Sequence, residues 1–128
     1  MRLLPDTHFL IWTSVRPNLL PNAARILIDN PDNELFFSAA SIWEIAIKRG
    51  LGRPHFQVDA GILRRGLLEN GYAELTVTSD HAIAVGLLPP IHKDPFDRIL
   101  FAQATVEAIT LLTSDRLVAS YPGPIRAV

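Results

Sequence analysis

Met1-Arg2-Leu3-Leu4-Pro5-Asp6, residues 1–6, is a short apolar segment that ends in a carboxylate, and it predicts how the rest of the chain folds. A short apolar run of this kind is typical of a strand buried on both faces. The next segment, residues 7–15, carries Phe9, Leu10 and Trp12 and predicts a helix. Strand and helix then alternate along the chain, so we predict an α/β fold with a parallel sheet and right-handed crossovers.

Proline and glycine mark where the predicted elements end. Gly50 follows one helix, Gly71 follows another, and Pro89-Pro90 ends a third, which Ser79 caps. The prediction is a central parallel sheet of four to five strands flanked by helices, in one domain that spans residues 1–128. The predicted strands are residues 2–6, 34–38, 73–77, 110–113 and 125–128, and the predicted helices are residues 7–15, 22–29, 39–49, 58–70, 79–88 and 95–108.

The composition limits the class of protein. A chain of 128 residues with 48% hydrophobic residues is long enough to bury its own core. It has no cysteine, which excludes disulfides, zinc–thiolate sites and thiol nucleophiles. The net charge of −1 gives no overall attraction to nucleic acid. The amino terminus is too short and too polar for a signal peptide or a membrane span, so we expect a cytoplasmic protein with no membrane partner.

Four acidic residues share a topological position. Asp6 ends the first predicted strand, Asp115 follows the fourth by two residues, Glu44 lies on the helix after the second strand, and Asp97 lies near the start of the helix at 95–108. In a parallel sheet the carboxyl ends of the strands meet at one edge, where open α/β folds bind their ligands. Carboxylates gathered there repel one another unless a hard divalent cation lies between them. The sequence therefore predicts a metal-dependent site that acts on phosphate.

Each of these acids also has a purely structural interpretation. Asp6 and Asp115 are suited to capping a helix or stabilising a turn. If Ser41 begins its helix, Ser41-Ile42-Trp43-Glu44 is a capping box and Glu44 bonds back to the backbone. If Ser38 is the cap instead, Glu44 lies in the middle of the helix and is free to face the strand edge.

Several other sites are excluded or disfavoured. His8, His55, His81 and His92 share no metal-ligand spacing, so an imidazole-centred site is not expected. No Walker loop, Gly-x-Gly-x-x-Gly or Gly-x-Ser-x-Gly motif occurs. His8 stands where a haloacid-dehalogenase phosphatase has its second aspartate. A receiver domain needs a lysine after a late strand, and none follows Lys93.

Four stretches of the chain resemble PIN-domain proteins and, more narrowly, VapC-type toxins of bacterial type II toxin–antitoxin pairs. Together they frame nearly the whole chain in family order, and the third is the most specific. One departure is Pro5, where the family more often has an aliphatic strand residue. The stretches are Arg2-Leu3-Leu4-Pro5-Asp6-Thr7-His8, Ser38-Ala39-Ala40-Ser41-Ile42-Trp43-Glu44-Ile45-Ala46-Ile47-Lys48, His92-Lys93-Asp94-Pro95-Phe96-Asp97-Arg98 with Ala102-Gln103-Ala104, and Leu112-Thr113-Ser114-Asp115.

The resemblance implies a Mg²⁺- or Mn²⁺-dependent endoribonuclease with a cognate antitoxin and, usually, a homodimer. By position, the family's acidic quartet falls on Asp6, Glu44, Asp97 and Asp115. Asp94 belongs to a subfamily signature, and its place before Pro95 is typical of a helix cap. Because Mg²⁺ commonly uses one or two carboxylates, we expect Asp6 and Asp97 to ligate the ion directly. Thr7 and Thr113 are expected to support the site.

The substrate and partners are predicted from charge and apolar side chains. A basic stretch between residues 48 and 65 would offset the repulsion between RNA phosphates and the acids. A recessed site favours single-stranded RNA loops. The remaining alternative is a catalytically inactive PIN-like scaffold that binds RNA or protein. The expected phosphate-binding residues are Lys48, Arg49, Arg98 and Arg116, and the apolar candidates for an antitoxin groove are Phe9, Trp12, Trp43 and Phe56.

Overall fold

A computed structural model describes residues 1–128 and forms a five-stranded sheet with helices on both faces. All strand pairs are parallel, and the order across the sheet is β3-β2-β1-β4-β5. The predicted α/β architecture is confirmed. The strands are β1 Arg2–Pro5, β2 Glu34–Ser38, β3 Ala73–Leu75, β4 Thr110–Thr113 and β5 Ile125–Ala127; the helices are α1 Thr7–Val15, α2 Asn22–Asp29, α3 Ala39–Gly50, α4 Ala60–Glu69, α5 Ser79–Val85, α6 Pro95–Glu107 and α7 Arg116–Ala119.

The order of the strands creates a switch point at the centre of the sheet. From β1 the chain proceeds outward to β2 and β3, and then returns across the sheet to β4, on the other side of β1. The connections that leave β1 and β4 at their carboxyl ends therefore diverge, which leaves a crevice between them. Asp6 directly follows β1, and Asp115 follows β4 by two residues. The fold thus brings these two carboxylates to the edge where a ligand is expected.

The two central strands are buried on both faces, as their apolar sequences predict. Leu3 and Leu112 pack with Phe9 of α1 on one face. Leu4 and Leu111 pack with α6 on the other face. Because neighbouring residues of a strand point to opposite faces, the two consecutive leucines of each strand are buried in two separate core clusters. This double burial holds β1 and β4 rigid below the crevice.

Pro5 is accommodated without loss of a sheet hydrogen bond. Its neighbour Asp6 donates its backbone N–H to the carbonyl of Leu112 in β4, at 2.9 Å. Donors alternate between the two sides of a strand, so the missing N–H of Pro5 lies on the β2 side, where the paired register ends at Leu3 and Leu35. The departure from the family pattern at Pro5 therefore leaves the strand intact.

Some predicted boundaries were wrong, chiefly around α5. Thr78, and not Ser79, caps this helix: its hydroxyl accepts from the N–H of His81, whose ring accepts the N–H of Thr78. The helix ends at Val85 rather than at residue 88. α4 begins at residue 60 because Asp59 is its cap. Three short elements were not predicted, namely α7 and the 3-10 turns at Pro17–Leu19 and Pro54–Phe56.

None of the helices combines the length and the apolar character that crossing a membrane requires.

Candidate active site

The four acids of the predicted quartet line one small cavity at the carboxyl edge of the sheet. The cavity has a volume of about 80 Å³, and none of its lining residues is hydrophobic. A polar recess of this size suits an ion with a few waters rather than an organic ligand. Its lining residues are Asp6, Thr7, His8, Glu44, Lys48, Asp94, Asp97, Ser114 and Asp115.

Asp6 divides its two carboxylate oxygens between two elements. Oδ1 accepts the N–H of Phe9 at 2.9 Å and so caps α1. Oδ2 accepts the hydroxyl of Thr113, at the end of β4, at 2.8 Å. The same Thr113 oxygen accepts the N–H of Asp115 at 3.0 Å. Thr113 therefore ties the acid after β1 to the acid after β4.

The geometry of α3 decides between the two interpretations of Glu44. Ser38 is the cap, because its hydroxyl accepts the N–H of Ala40 at 3.0 Å. Ser41 is instead buried inside the helix, where it accepts the hydroxyl of Thr7 at 2.9 Å. Glu44 is 3% exposed in the middle of the helix, and its Oε1 is buried without any hydrogen-bond partner. A buried carboxylate oxygen without a hydrogen bond raises the free energy of the folded state unless a cation or water reaches it.

Lys48 neutralises the other oxygen of Glu44. Its Nζ lies 2.6 Å from Oε2 of Glu44 and 3.7 Å from a carboxylate oxygen of Asp94. The ammonium also lies over the rings of Phe56 and Phe96, at 4.8 and 5.4 Å from their centroids. Such contacts favour a partly buried cation. Lys48 therefore fixes one side of Glu44 and leaves the other oxygen free.

The start of α6 places Asp97 beside the quartet. Asp94 is the cap, with Oδ1 accepting the N–H of Phe96 at 2.8 Å, and Pro95 takes the first helical position. Asp97 is thus the third residue of the helix, as predicted. Its carboxylate does not cap the helix. It lies 3.2 Å from Nε2 of His92.

Asp115 uses one oxygen to begin α7. Its Oδ1 accepts the N–H groups of Leu117 and Val118, at 2.8 and 3.3 Å. Its Oδ2 lies 3.4 Å from Nε2 of His92. The predicted structural role of Asp115 therefore coexists with a contact at the cavity.

Burial and mutual repulsion raise the pKa values of two of the acids. Loss of solvation is the largest cause for Asp97, and the charges of Asp94, Glu44, Asp6 and Asp115 add to it, so that its pKa rises to about 7. Burial also raises the pKa of Asp6, against the lowering effect of its bonds to Phe9 and Thr113. Raised carboxyl pKa values are typical of acids grouped for a functional purpose.

The cavity therefore fits a hard divalent cation. Its donors are carboxylate oxygens, which Mg²⁺ and Mn²⁺ prefer. One of them, Oε1 of Glu44, is buried and unpartnered. Loss of solvation and the neighbouring carboxylates both disfavour the ionised form of Asp97, and a bound cation would offset both effects.

His92 is a site residue that sequence reasoning missed. The spacing of the histidines in the sequence does not indicate this role, because the neighbours of His92 are carboxylates and not other histidines. Ligand atoms of His92, Asp97 and Asp115 all lie within 4.8 Å of one another. The available signal was its position in the stretch His92–Arg98, five residues before Asp97.

The predicted phosphate-binding residues do not form one patch. Arg49 pairs with Asp59 at 3.4 Å on the surface. Arg98 donates to the carbonyls of Pro89, His92 and Val85 and to the hydroxyl of Tyr121, and so anchors the loop before α6. Lys48 lines the cavity, and Arg116 is exposed directly after Asp115.

The four aromatic residues expected to form a groove do not line one surface: Trp12 packs against Phe9, with 5.7 Å between the ring centroids, whereas Trp43 lies elsewhere on α3. Phe9 and Phe56 are buried in two different core clusters. Trp43 is 61% exposed and packs edge-on against Phe96, with 5.1 Å between the ring centroids. A separate cavity of about 620 Å³ lies between α1, the end of α2 and α4, and none of these four aromatic residues lines it.

Fold and site together define a parallel α/β domain with an acidic cleft suited to a divalent cation. The sequence model of the PIN domain matches residues 3–123. Ribonuclease VapC22 of Mycobacterium tuberculosis is 30% identical over 122 residues, which cover 95% of this chain and 93% of the relative. The chain belongs to the PIN-domain family.

Solved structures show the same fold at lower identity. The crystal structure of VapBC2 from Rickettsia felis, bound to a DNA fragment from its promoter, matches with a TM-score of 0.71 and 15% identity, over 99% of this chain and 98% of that one. A toxin–antitoxin complex from Klebsiella pneumoniae matches with a TM-score of 0.65 and 17% identity, over 98% and 96% of the two chains.

Proposed function

We propose that this protein is a Mg²⁺- or Mn²⁺-dependent endoribonuclease that cleaves single-stranded RNA in the cytoplasm. It acts as the toxin of a type II toxin–antitoxin pair. The observation that carries the proposal is the grouping of four carboxylates in one small polar cavity, with Oε1 of Glu44 buried and unpartnered. The similarity to a ribonuclease along almost the whole chain supports it.

Asp6 and Asp97 are the residues that would hold the ion, with Glu44 and Asp115 acting through water. A bound Mg²⁺ supplies a more acidic water and stabilises charge on phosphoryl oxygens. The chain itself sets the geometry: Thr113 fixes Oδ2 of Asp6, and Lys48 fixes Oε2 of Glu44. Each carboxylate is therefore held before substrate arrives, which lowers the cost of reaching the reactive arrangement.

Single-stranded RNA is the substrate that fits the recess. A phosphate inside a duplex cannot enter a cavity of about 80 Å³ without distortion, whereas a flexible loop can. Lys48 lines the cavity and the exposed Arg116 directly follows Asp115 in the chain, so we assign these two cations to contact an entering phosphate. Arg98 is assigned to the loop before α6, because its donors are already used.

The antitoxin is proposed to bind the 620 Å³ groove between α1, the end of α2 and α4. The groove has apolar walls that include Leu35, Ile62 and Leu63. It is lined by no Lys or Arg and by two acids, Asp29 and Asp59, of which Asp59 already pairs with Arg49. An amphipathic helix with one basic side chain matches both its surface and its charge. The hydroxyl of Tyr72 is buried in this groove without a partner and offers that side chain an acceptor.

The proposed homodimer would use the exposed apolar face around α5. This face includes Trp43, Val77 and Val85 and forms a cavity of about 520 Å³ with almost no polar lining. Trp43 and Ile83 are 61% and 67% exposed. Exposed apolar side chains grouped in this way are typical of protein interfaces.

The test is cleavage of a labelled RNA stem–loop by the purified protein. We expect cutting in the loop with Mg²⁺ or Mn²⁺, none with EDTA, and a loss of at least a hundredfold in Asp97→Asn and Glu44→Gln. Asp80→Asn is the matched control, because Asp80 is an exposed acid on α5 away from the cavity. No cleavage by the wild type would favour the inactive scaffold, whereas an unchanged rate in Asp97→Asn would contradict the assignment of Asp97 to the site.

The toxin role is tested in cells. Expression of the wild type is expected to arrest growth, and co-expression of the product of a neighbouring open reading frame is expected to restore it. Asp97→Asn should be harmless at the same protein level. Equal growth of cells that express wild type and Asp97→Asn would contradict the toxin assignment. The nuclease assignment would still be decided by the RNA cleavage assay.

A further inference from the structure

We propose that His92 is a positioning residue that holds Asp97 and Asp115 together through its Nε2–H group, without ligating the metal ion. This role rests on the proposed metal site. It deepens that proposal by naming a residue outside the acidic quartet and stating which atom acts. His92 lies in the loop before α6, and its side chain is 14% exposed.

The hydrogen bond at the other ring nitrogen fixes which tautomer is present. Nδ1 of His92 lies 3.0 Å from the backbone nitrogen of Asp94, which donates its N–H to it. An N–H donor requires a lone pair on Nδ1, so the proton of the neutral ring lies on Nε2. Nε2 is 3.2 Å from Asp97 and 3.4 Å from Asp115. One N–H group therefore faces two carboxylates of the cluster.

A direct ligand role conflicts with this arrangement. The three side chains have ligand atoms within 4.8 Å of one another, so distance alone would allow a shared ion. Ligation by Nε2 needs its lone pair, and the proton would have to move to Nδ1. That move would place two N–H groups face to face at Asp94 and break the 3.0 Å bond. The geometry therefore favours Nε2 of His92 as an N–H donor to the carboxylates rather than as a metal ligand.

The loop that carries His92 is held by independent contacts. The hydroxyl of Tyr121 accepts the N–H of His92 at 2.8 Å, and Arg98 donates to the carbonyl of His92 at 3.2 Å. Tyr121 is 3% exposed and stacks on Phe101, with 4.8 Å between the ring centroids. The backbone of His92 is thus anchored to the core, and the position of its imidazole does not depend on the carboxylates.

The contacts leave different oxygens free on the two acids. Asp115 caps α7 with Oδ1 and faces His92 with Oδ2. Asp97 faces His92 with Oδ2 alone. His92 therefore orients Asp97 so that its Oδ1 remains available to an ion. It also holds the carboxylate of Asp115 near that of Asp97, while Asp115 continues to cap α7. Loss of a neighbouring side chain that supports a metal ligand typically changes metal affinity by about 10- to 100-fold.

Two substitutions separate the functions of the two ring nitrogens. His92→Asn keeps an acceptor near the Nδ1 position for the N–H of Asp94, but lacks a donor that reaches the carboxylates. His92→Gln keeps a donor at about the reach of Nε2. His55→Asn is the matched control, because His55 is exposed and lies outside the cavity. Thermal melting in EDTA verifies that every variant is folded.

The readouts are Mn²⁺ affinity by titration calorimetry and the tautomer of His92 by nitrogen-15 NMR with Mg²⁺. We expect the Mn²⁺ dissociation constant to rise about tenfold or more in His92→Asn, by less than threefold in His92→Gln, and not at all in His55→Asn. The Nε2–H tautomer should persist when Mg²⁺ saturates the protein.

Three results would overturn the role: unchanged Mn²⁺ affinity in His92→Asn, equal losses in the Asn and Gln variants, or a change to the Nδ1–H tautomer with Mg²⁺. No RNA is present in these measurements. If the protein binds Mn²⁺ but does not cleave RNA, the proposed nuclease function is wrong, and the Mn²⁺ and NMR measurements still decide the role of His92.

Discussion

Replacement of Asp97 by asparagine is expected to stabilise the metal-free protein. The pKa of Asp97 rises from 3.8 to about 7, chiefly because the carboxylate is buried among other acids. Each pKa unit corresponds to about 1.36 kcal/mol, so ionising Asp97 above pH 7 costs the folded state roughly 4 kcal/mol. Asparagine has nearly the same shape and no charge. Allowing for partial exposure and the lost His92 contact, we expect a gain of about 1 to 3 kcal/mol.

The pH dependence has a defined sign. Between pH 3.8 and about 7 the folded protein holds a proton on Asp97 that the unfolded chain has released. Its contribution to stability is therefore fully present below pH 3.8 and is lost as the pH rises to about 7. The stability gap between Asp97→Asn and wild type should widen through this window and level off above it.

The assay is thermal melting at pH 5 and pH 8, in EDTA and in Mn²⁺. In EDTA at pH 8 the variant should melt roughly 4 to 10 °C above wild type, and the gap should be smaller at pH 5. Saturating Mn²⁺ should raise the Tm of wild type and reverse the order, because only wild type binds the ion well. Asp80→Asn should match wild type throughout. A lower Tm for Asp97→Asn in EDTA at pH 8 would refute the electrostatic reasoning.

Three further substitutions test separate parts of the structure. Asp6→Asn should keep the α1 cap, because asparagine caps a helix as well as aspartate does, so the Tm in EDTA should fall by no more than a few degrees. The same change should weaken Mn²⁺ binding at least tenfold by calorimetry. Tyr72→Phe removes a buried hydroxyl without a partner, so urea unfolding should show no loss of stability and a gain of up to about 1 kcal/mol. Gly123→Ala should destabilise by about 1 to 3 kcal/mol in the same assay, because its Cβ would lie 2.7 Å from the ring of Phe101.

The placement of the acids could be predicted because topology alone determines it. A carboxylate directly after a buried strand must lie at the carboxyl edge of a parallel sheet, so Asp6 and Asp115 were assigned to the edge without any knowledge of side-chain contacts. Glu44 was different. Both Ser38 and Ser41 satisfy the sequence rules for a cap. The structure separates them, because Ser38 accepts the N–H of Ala40 while Ser41 lies inside the helix and bonds to Thr7.

What could not be predicted depended on contacts between distant loops. Arg98 appears in sequence as a free cation near the acids, but its guanidinium is taken by carbonyls at the end of α5 and in the loop before α6. His92 was discounted because histidine spacing is a test for zinc sites, whereas here one imidazole meets two carboxylates. Periodicity also does not indicate which face of α3 stays uncovered, so the sequence offers Trp43 as a groove candidate but does not separate it from the buried Phe9 and Phe56.

Asp6 and Asp115 each start a helix with one oxygen and face the cavity with the other. A mutation that removes the carboxylate there therefore damages folding and chemistry together, unless the new side chain still accepts a backbone N–H. Among common replacements asparagine meets that condition best. If descendants of this protein lose catalysis but keep their shape and partners, asparagine at these two positions is the change most compatible with survival of the domain.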